Sequence, residues 1–292
     1  QALILQDIGA FGSQGNQIQT SLNTLTLANA GDVHLNEANG LTLNTSGNTT
    51  NAGQFTIDGT TTFNTGTGGS LTLNNPQNDF DTLDTQAGGT AQSISLTDAN
   101  RLEGGNLTAQ AITLNTQTGI GSEGQALNTQ TARLSINNTV GNMVNIANTG
   151  TLTASITNQG DIDLANRGNL IIERLHTNGG QHAVSGPYLG DVNVAAINGT
   201  IQAYQANPAY SGIAAHSPTA SPDIVAQNLI MRADNGAGSV APLSLMAGLL
   251  VCVLGFSGLG RAVAFIPWPV VEGFTLGIAA IIFLQQVPPA TV

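Results

Sequence analysis

The 292-residue chain has no lysine, a single cysteine, and little that is aromatic (4%) or charged (8%). Six arginines stand against 17 acidic residues, giving a formal charge of -11, which excludes a phosphate-tracking surface and removes nucleic acid from the expected partners. With Cys252 alone, neither an internal disulfide nor a multi-cysteine metal site can form. The 36 glycines follow no period of three, so collagen is excluded. The chain opens at Gln1 with no basic segment leading into an apolar one, and is expected to be a fragment or a processed chain.

What is present divides near residues 239 to 243. Five of the arginines and 16 of the acidic residues precede that point, leaving only Arg261 and Glu272 beyond it. The first part is a succession of short runs such as Leu25-Thr26-Leu27, Leu41-Thr42-Leu43, Leu71-Thr72-Leu73, Ile94-Ser95-Leu96, Ile112-Thr113-Leu114, Leu134-Ser135-Ile136 and Ile162-Asp163-Leu164. Each has the period of two that sends apolar side chains to one face and polar ones to the other. Asn, Gly, Asp, Ser and Thr fill the intervals, residues that favour tight turns. No helical stripe interrupts residues 20 to 175. Two or three such strands make one coil of an all-β, right-handed parallel β-helix over residues 1–240, burying Leu, Ile, Val and Phe and turning the polar residues to water. A hairpin-built β-sandwich is the alternative source of short alternating strands.

A longer repeat is superposed. Leu3-Ile4-Leu5, Gly12-Ser13-Gln14-Gly15 and Ile18-Gln19-Thr20 recur as Ile112-Thr113-Leu114, Gly121-Ser122-Glu123-Gly124 and Leu127-Asn128-Thr129, an offset of 109, and a third start stands at Leu229-Ile230-Met231. With its Leu-x-Leu strands, Asn/Gly corners and the recurring segments FGSQGNQIQT and TGIGSEGQALNT, the part up to about residue 240 resembles the shaft of filamentous haemagglutinin-like bacterial adhesins. That resemblance implies a non-enzymatic rod, secreted or displayed on the cell surface through an outer-membrane exporter, holding an adhesive tip toward a host-cell receptor or glycan.

The remainder, 241–292, is of another kind. Residues 240 to 259 and 268 to 287 form two apolar stretches, each long enough as a helix to cross a bilayer of ~30 Å, with Pro267-Trp268-Pro269 at the second entry. An α-helical hairpin in a lipid bilayer is expected there. The stretch from GFSGLGRAVAFIPWPVVEGFTLGIAAIIF, with its Leu-Gly-Arg, Phe-Ile-Pro-x-Pro-Val-Val and Gly-Phe-Thr-x-Gly-Ile segments, resembles the SulP family of sulfate permease-like anion transporters. The resemblance makes Glu272 a candidate transport-related residue, with helix capping as its structural alternative. A surface-destined shaft and a transporter segment make poor neighbours, so an artificial junction near residues 239 to 243 is expected.

Candidate chemistry within the strands is sparse. Asp161 with Asp163, and Asp79 with Asp81 and Asp84, are the acidic groups that a β-helical polysaccharide lyase or hydrolase would need, although no aromatic platform or lysine accompanies them. Calcium binding at the second group lacks the glycine-rich repeat of calcium-loaded β-rolls. His34, His176, His182 and His216 are scattered rather than held in ligand spacing. No catalytic residue, cofactor or metal is expected. Tyr188, Tyr204 and Tyr210 gather in the irregular stretch after Leu175 and form the candidate binding surface.

Overall fold

The computed structural model describes residues 1–45, 47–86, 90–177, 190–204 and 223–235. Over these the chain is an all-β, right-handed parallel β-solenoid, a repetitive scaffold in which each strand stacks on one from the preceding coil. Contacts divide the chain between Gly238 and Ser239. The helical hairpin expected at 241–292 lies outside the described residues.

Three ladders run along the solenoid. One joins Leu3, Leu25, Leu43 and Phe63. A second joins Leu71, Ile94, Ile112, Leu134, Ala154 and Ile172. The third passes through Leu102, Ile120, Val144, Ile162, Val192 and Leu229. Rung length varies, the coil from Leu25 to Leu43 being shorter than the coil from Leu71 to Ile94. Parallel rungs about 4.8 Å apart place like on like, so strand Leu41–Thr45 alternates buried and half-buried side chains, as does Leu152–Thr157. Away from the two ends the apolar inward residues are sealed: Leu25, Leu43, Leu71, Leu134 and Leu164 are each 0% exposed, whereas Leu3 is half-buried and Leu229 exposed. Each such burial contributes roughly 1.5–3 kcal/mol against chain entropy. Phe80 stacks on Phe55 and meets Phe63 edge-on, both at 6.4 Å between ring centroids.

Corners are closed by residues that accept left-handed backbone, Asp7, Asn29, Asn142 and Asn198 among them. Gly105 shows why glycine is needed at one strand position: its φ is +118°, and a Cβ there would lie 1.9 Å from the Leu83 carbonyl oxygen of the rung beneath.

The long sequence repeat has a structural counterpart. Ser13 and Asn16 exchange backbone hydrogen bonds of 3.2 and 2.9 Å, and Ser122 and Gln125 do the same at 2.8 and 2.9 Å. Leu3 pairs with Leu25, and Ile112 likewise with Leu134. Yet Leu3 and Ile112 stand in different ladders, and Leu229 stands in the third, opposite Val192. The sequence period therefore returns the same local structure on another face of the solenoid, because it does not make a whole number of rungs.

One expectation is corrected. A transmembrane helix was expected from the apolar stretches, whereas among the described residues no helix is long and apolar enough to cross a membrane. The cause is the strand period itself, which puts a polar residue at every second position and spends the backbone groups between rungs rather than within a helix. The stretches 240–259 and 268–287 that prompted the expectation lie outside the described residues.

Candidate functional site

Of the three tyrosines, Tyr204 alone is described. It follows strand Ile201–Ala203, donates its backbone N–H to the Ile172 carbonyl at 2.8 Å, and is 40% exposed. Beside it, Ile172, Ile201, Ala203, Ile224 and Met231 line a hollow of about 140 Å³. Tyr188, Tyr210 and Glu272 lie outside the described residues, as do His182 and His216. Ile162 stacks between Val144 and Val192, and the coil from Ile162 to Val192 is much longer than the coil from Val144 to Ile162.

The acidic groups are drawn into contacts between rungs rather than across a groove. Asp161 Oδ1 accepts the Asp191 N–H at 2.8 Å, and Asp191 Oδ1 in turn accepts the Asn228 side-chain amide at 2.8 Å. Asp163 faces the Asn193 amide at 3.5 Å, and partial burial raises its pKa. Asp79 accepts from the Asn100 amide, Asp81 from the Gly59 N–H and Asp84 from the Asn106 N–H. Among the described residues, no three His, Cys, Asp or Glu side chains are grouped to hold a metal ion. His34 sits half-buried between the sealed Val33 and Leu35, and its Nδ1 accepts the Gln54 N–H at 3.1 Å.

The most developed polar chemistry lies inside. Asn138 donates to Asn158 Oδ1 at 2.6 Å and accepts from Thr116 Oγ1 at 3.1 Å. In a parallel run, Thr129 Oγ1 donates to Asn148 Oδ1, and Asn148 Nδ2 to Asn166 Oδ1, both at 2.8 Å. Asn138, Asn158 and Asn166 are 0% exposed. Asn138 and Asn148 thus accept from the rung before and donate to the rung beyond, while the Asn158 amide donates to the Asn142 and Asp161 carbonyls and the Asn166 amide to those of Gly168 and Asn169.

Asp98 occupies a comparable inward position with a carboxylate. It is 1% exposed, with Oδ2 accepting the Phe80 N–H and Oδ1 the Asn100 N–H, both at 2.8 Å. Burial pushes its pKa from 3.8 up to about 7; the two N–H donors pull it down, while Asp79 and Asp81 add repulsion. Glu37 is sealed as well, its Oε2 accepting from Thr20 Oγ1 at 2.7 Å and from the Leu22 N–H at 2.8 Å. These inward polar residues escaped the sequence reading. Their signal was an apolar alternation continued by one polar member, as in Leu96-Thr97-Asp98, Ile136-Asn137-Asn138 and Ile156-Thr157-Asn158.

Fold and ladders together define the described chain as a repetitive β-solenoid scaffold. Residues 22–87 match the family model described as repeats of unknown function (DUF5649). Residues 195–291 match that of the sulfate permease family. The second match begins within strand Val192–Ile197 and takes in Ile201–Ala203, Ile224–Val225 and Leu229–Ala233, all paired as solenoid rungs. No curated protein matches the chain. No solved structure does either.

Proposed function

We propose that residues 1–235 are a section of the non-enzymatic shaft of a filamentous haemagglutinin-like bacterial adhesin, secreted or held at the cell surface, spacing a binding element away from the cell toward a host receptor or glycan. The observation that carries this reading is the continuity of the inner ladders from Leu5 to Val225, which gives length and stiffness and commits side chains to neighbouring rungs. Acidic groups that an enzyme would aim across a groove instead bridge rungs. The test uses antiserum raised against the chain on intact cells of the source organism, together with a strain carrying an in-frame deletion of two rungs. Labelling of intact cells and weakened attachment to host cells are expected. Labelling confined to lysed cells, or unaltered attachment, overturns the reading.

The sulfate permease match favours a second reading for the C-terminal segment alone, a piece of an anion transporter. Its joining to a shaft near residues 239 to 243 is then artificial, in keeping with the division of the chain between Gly238 and Ser239. Long-read sequencing of the locus across codons 235 to 250 checks this. Separate reading frames are expected, and one uninterrupted frame, translated as a single stable protein, overturns it.

A further inference from the structure

A cleft of about 400 Å³ opens where the corner before strand Gly104–Thr116 meets the Ser122/Gln125 turn, lined by Thr82, Arg101, Glu103, Gly105, Ser122 and Gln125. Its parts are fixed by the rungs. Arg101 is anchored through Nε, which donates to the Gly121 carbonyl at 2.8 Å, and its remaining guanidinium N–H groups have no partner among the described residues. The Glu103 carboxylate, exposed to solvent at the same cleft, has none either, and forms no ion pair with Arg101. Gly105 at the cleft wall packs directly on the Leu83 backbone of the rung beneath. The turn beside it is held by the paired Ser122 and Gln125 backbone bonds.

We infer that this cleft binds a sugar acid, its carboxylate on Arg101 and its hydroxyls on Glu103, Gln125 and Ser122. A guanidinium with Nε already engaged presents its terminal N–H groups as a fork for a planar carboxylate. The exposed Glu103 carboxylate lining the same cleft favours a ligand that also brings donors, which a sugar ring does and a simple anion does not. The chain's charge of -11 disfavours extended polyanions while tolerating one carboxylate bound at a local cation. The volume lies in the range that holds a ring or two, roughly 300–1,000 Å³. No aromatic ring lines the cleft, so recognition rests on hydrogen bonds and the affinity is modest. The site goes beyond the shaft reading and does not rest on it: a shaft holds its tip whether or not the cleft is filled.

The test titrates D-glucuronate, D-glucose and acetate separately into the full chain, followed by saturation-transfer NMR. Glucuronate is expected to bind saturably in the millimolar range, with glucose and acetate at least tenfold weaker. Arg101→Gln removes the preference over glucose, and Glu103→Ala removes the preference over acetate. Glu103 is exposed and unbonded, so its replacement leaves the fold intact and the second arm remains readable if Arg101→Gln disturbs the turn. Absence of saturable glucuronate binding, equal binding of acetate, or an undiminished preference over acetate in Glu103→Ala overturns the inference.

Discussion

Replacing Asp98 by Asn tests whether one buried carboxylate makes the solenoid sensitive to pH. Its folded pKa of about 7, against 3.8 for the free group, reflects burial that two backbone N–H donors only partly offset. At about 1.4 kcal/mol per pKa unit, the shift of roughly three units is worth on the order of 4 kcal/mol. The sign follows from proton counts. Between the two pKa values the folded chain holds a proton that the unfolded chain has lost, so stability falls as pH rises. The contribution is intact below about pH 4 and is lost progressively up to and through about pH 7. Asn carries no charge at any of these values, but offers one acceptor oxygen where the carboxylate offered two, so one N–H loses its bond at a cost of about 1 kcal/mol.

The assay is amide hydrogen exchange, corrected for intrinsic rate, read at the Phe80 and Asn100 N–H groups that Asp98 accepts. Between pH 4 and pH 8, protection in the parent is expected to fall by about three decades, the equivalent of that ~4 kcal/mol. In Asp98→Asn the fall should be less than tenfold, and at pH 8 the variant should be the better protected of the two. An equal loss of protection in both proteins refutes the reasoning.

Asn148→Ala deprives the Thr131 N–H, the Thr129 hydroxyl and Asn166 Oδ1 of their shared partner; a loss of about 2–4 kcal/mol is expected, read as faster exchange at the Thr131 N–H. Gly105→Ala should prevent the rung at Leu83 from closing, whereas Gly124→Ala, at φ +77° with no atom within 4 Å of the added Cβ, should cost only about 1–2 kcal/mol in urea denaturation. Phe80→Ala removes the ring shared by Phe55 and Phe63 and should cost about 3–5 kcal/mol, seen as a lowered thermal midpoint by circular dichroism.

The inward faces were legible because a period of two has one geometric meaning: Leu25 and Leu27, or Ile162 and Leu164, point the same way in any strand, and here that way is inward. Ladder membership was not legible. Corners take up or omit residues, so rungs differ in length, and matching motifs one long repeat apart, at Leu3 and Ile112, settle on different faces. The polar interior was misread for another reason. Asn, Asp and Thr were assigned to water on single-strand polarity, yet a parallel stack supplies inward amides such as Asn138 and Asn148 with a polar partner on the rung before and the rung beyond. Glu37 shows the same substitution between repeats. Its Oε2 binds Thr20 and the Leu22 N–H just as Asn148 Oδ1 binds Thr129 and the Thr131 N–H, the contacted residues again lying one long repeat apart. At Tyr204 the sequence marked a candidate binding surface, while the hollow of Ile172, Ile224 and Met231 beside it comes from rungs that are distant in sequence.

Buried amide ladders do more in this fold than satisfy polar groups. Successive rungs present nearly the same apolar face, so a strand could slip along its neighbour with little loss of hydrophobic contact; an amide that must meet its counterpart fixes the register. Asn138 and Asn158, or Asn148 and Asn166, perform that role with neutral groups at any physiological pH. Asp98 performs it for the Phe80 and Asn100 amides with a group that ionises near neutrality. In a solenoid each rung is stabilised mainly by its immediate neighbours, so the penalty of ionisation stays local. Strands Asp79–Thr85 and Ala91–Thr97 should therefore open first as pH rises, while the rungs held by the amide ladders between Arg133–Asn138 and Ile162–Arg167 remain closed.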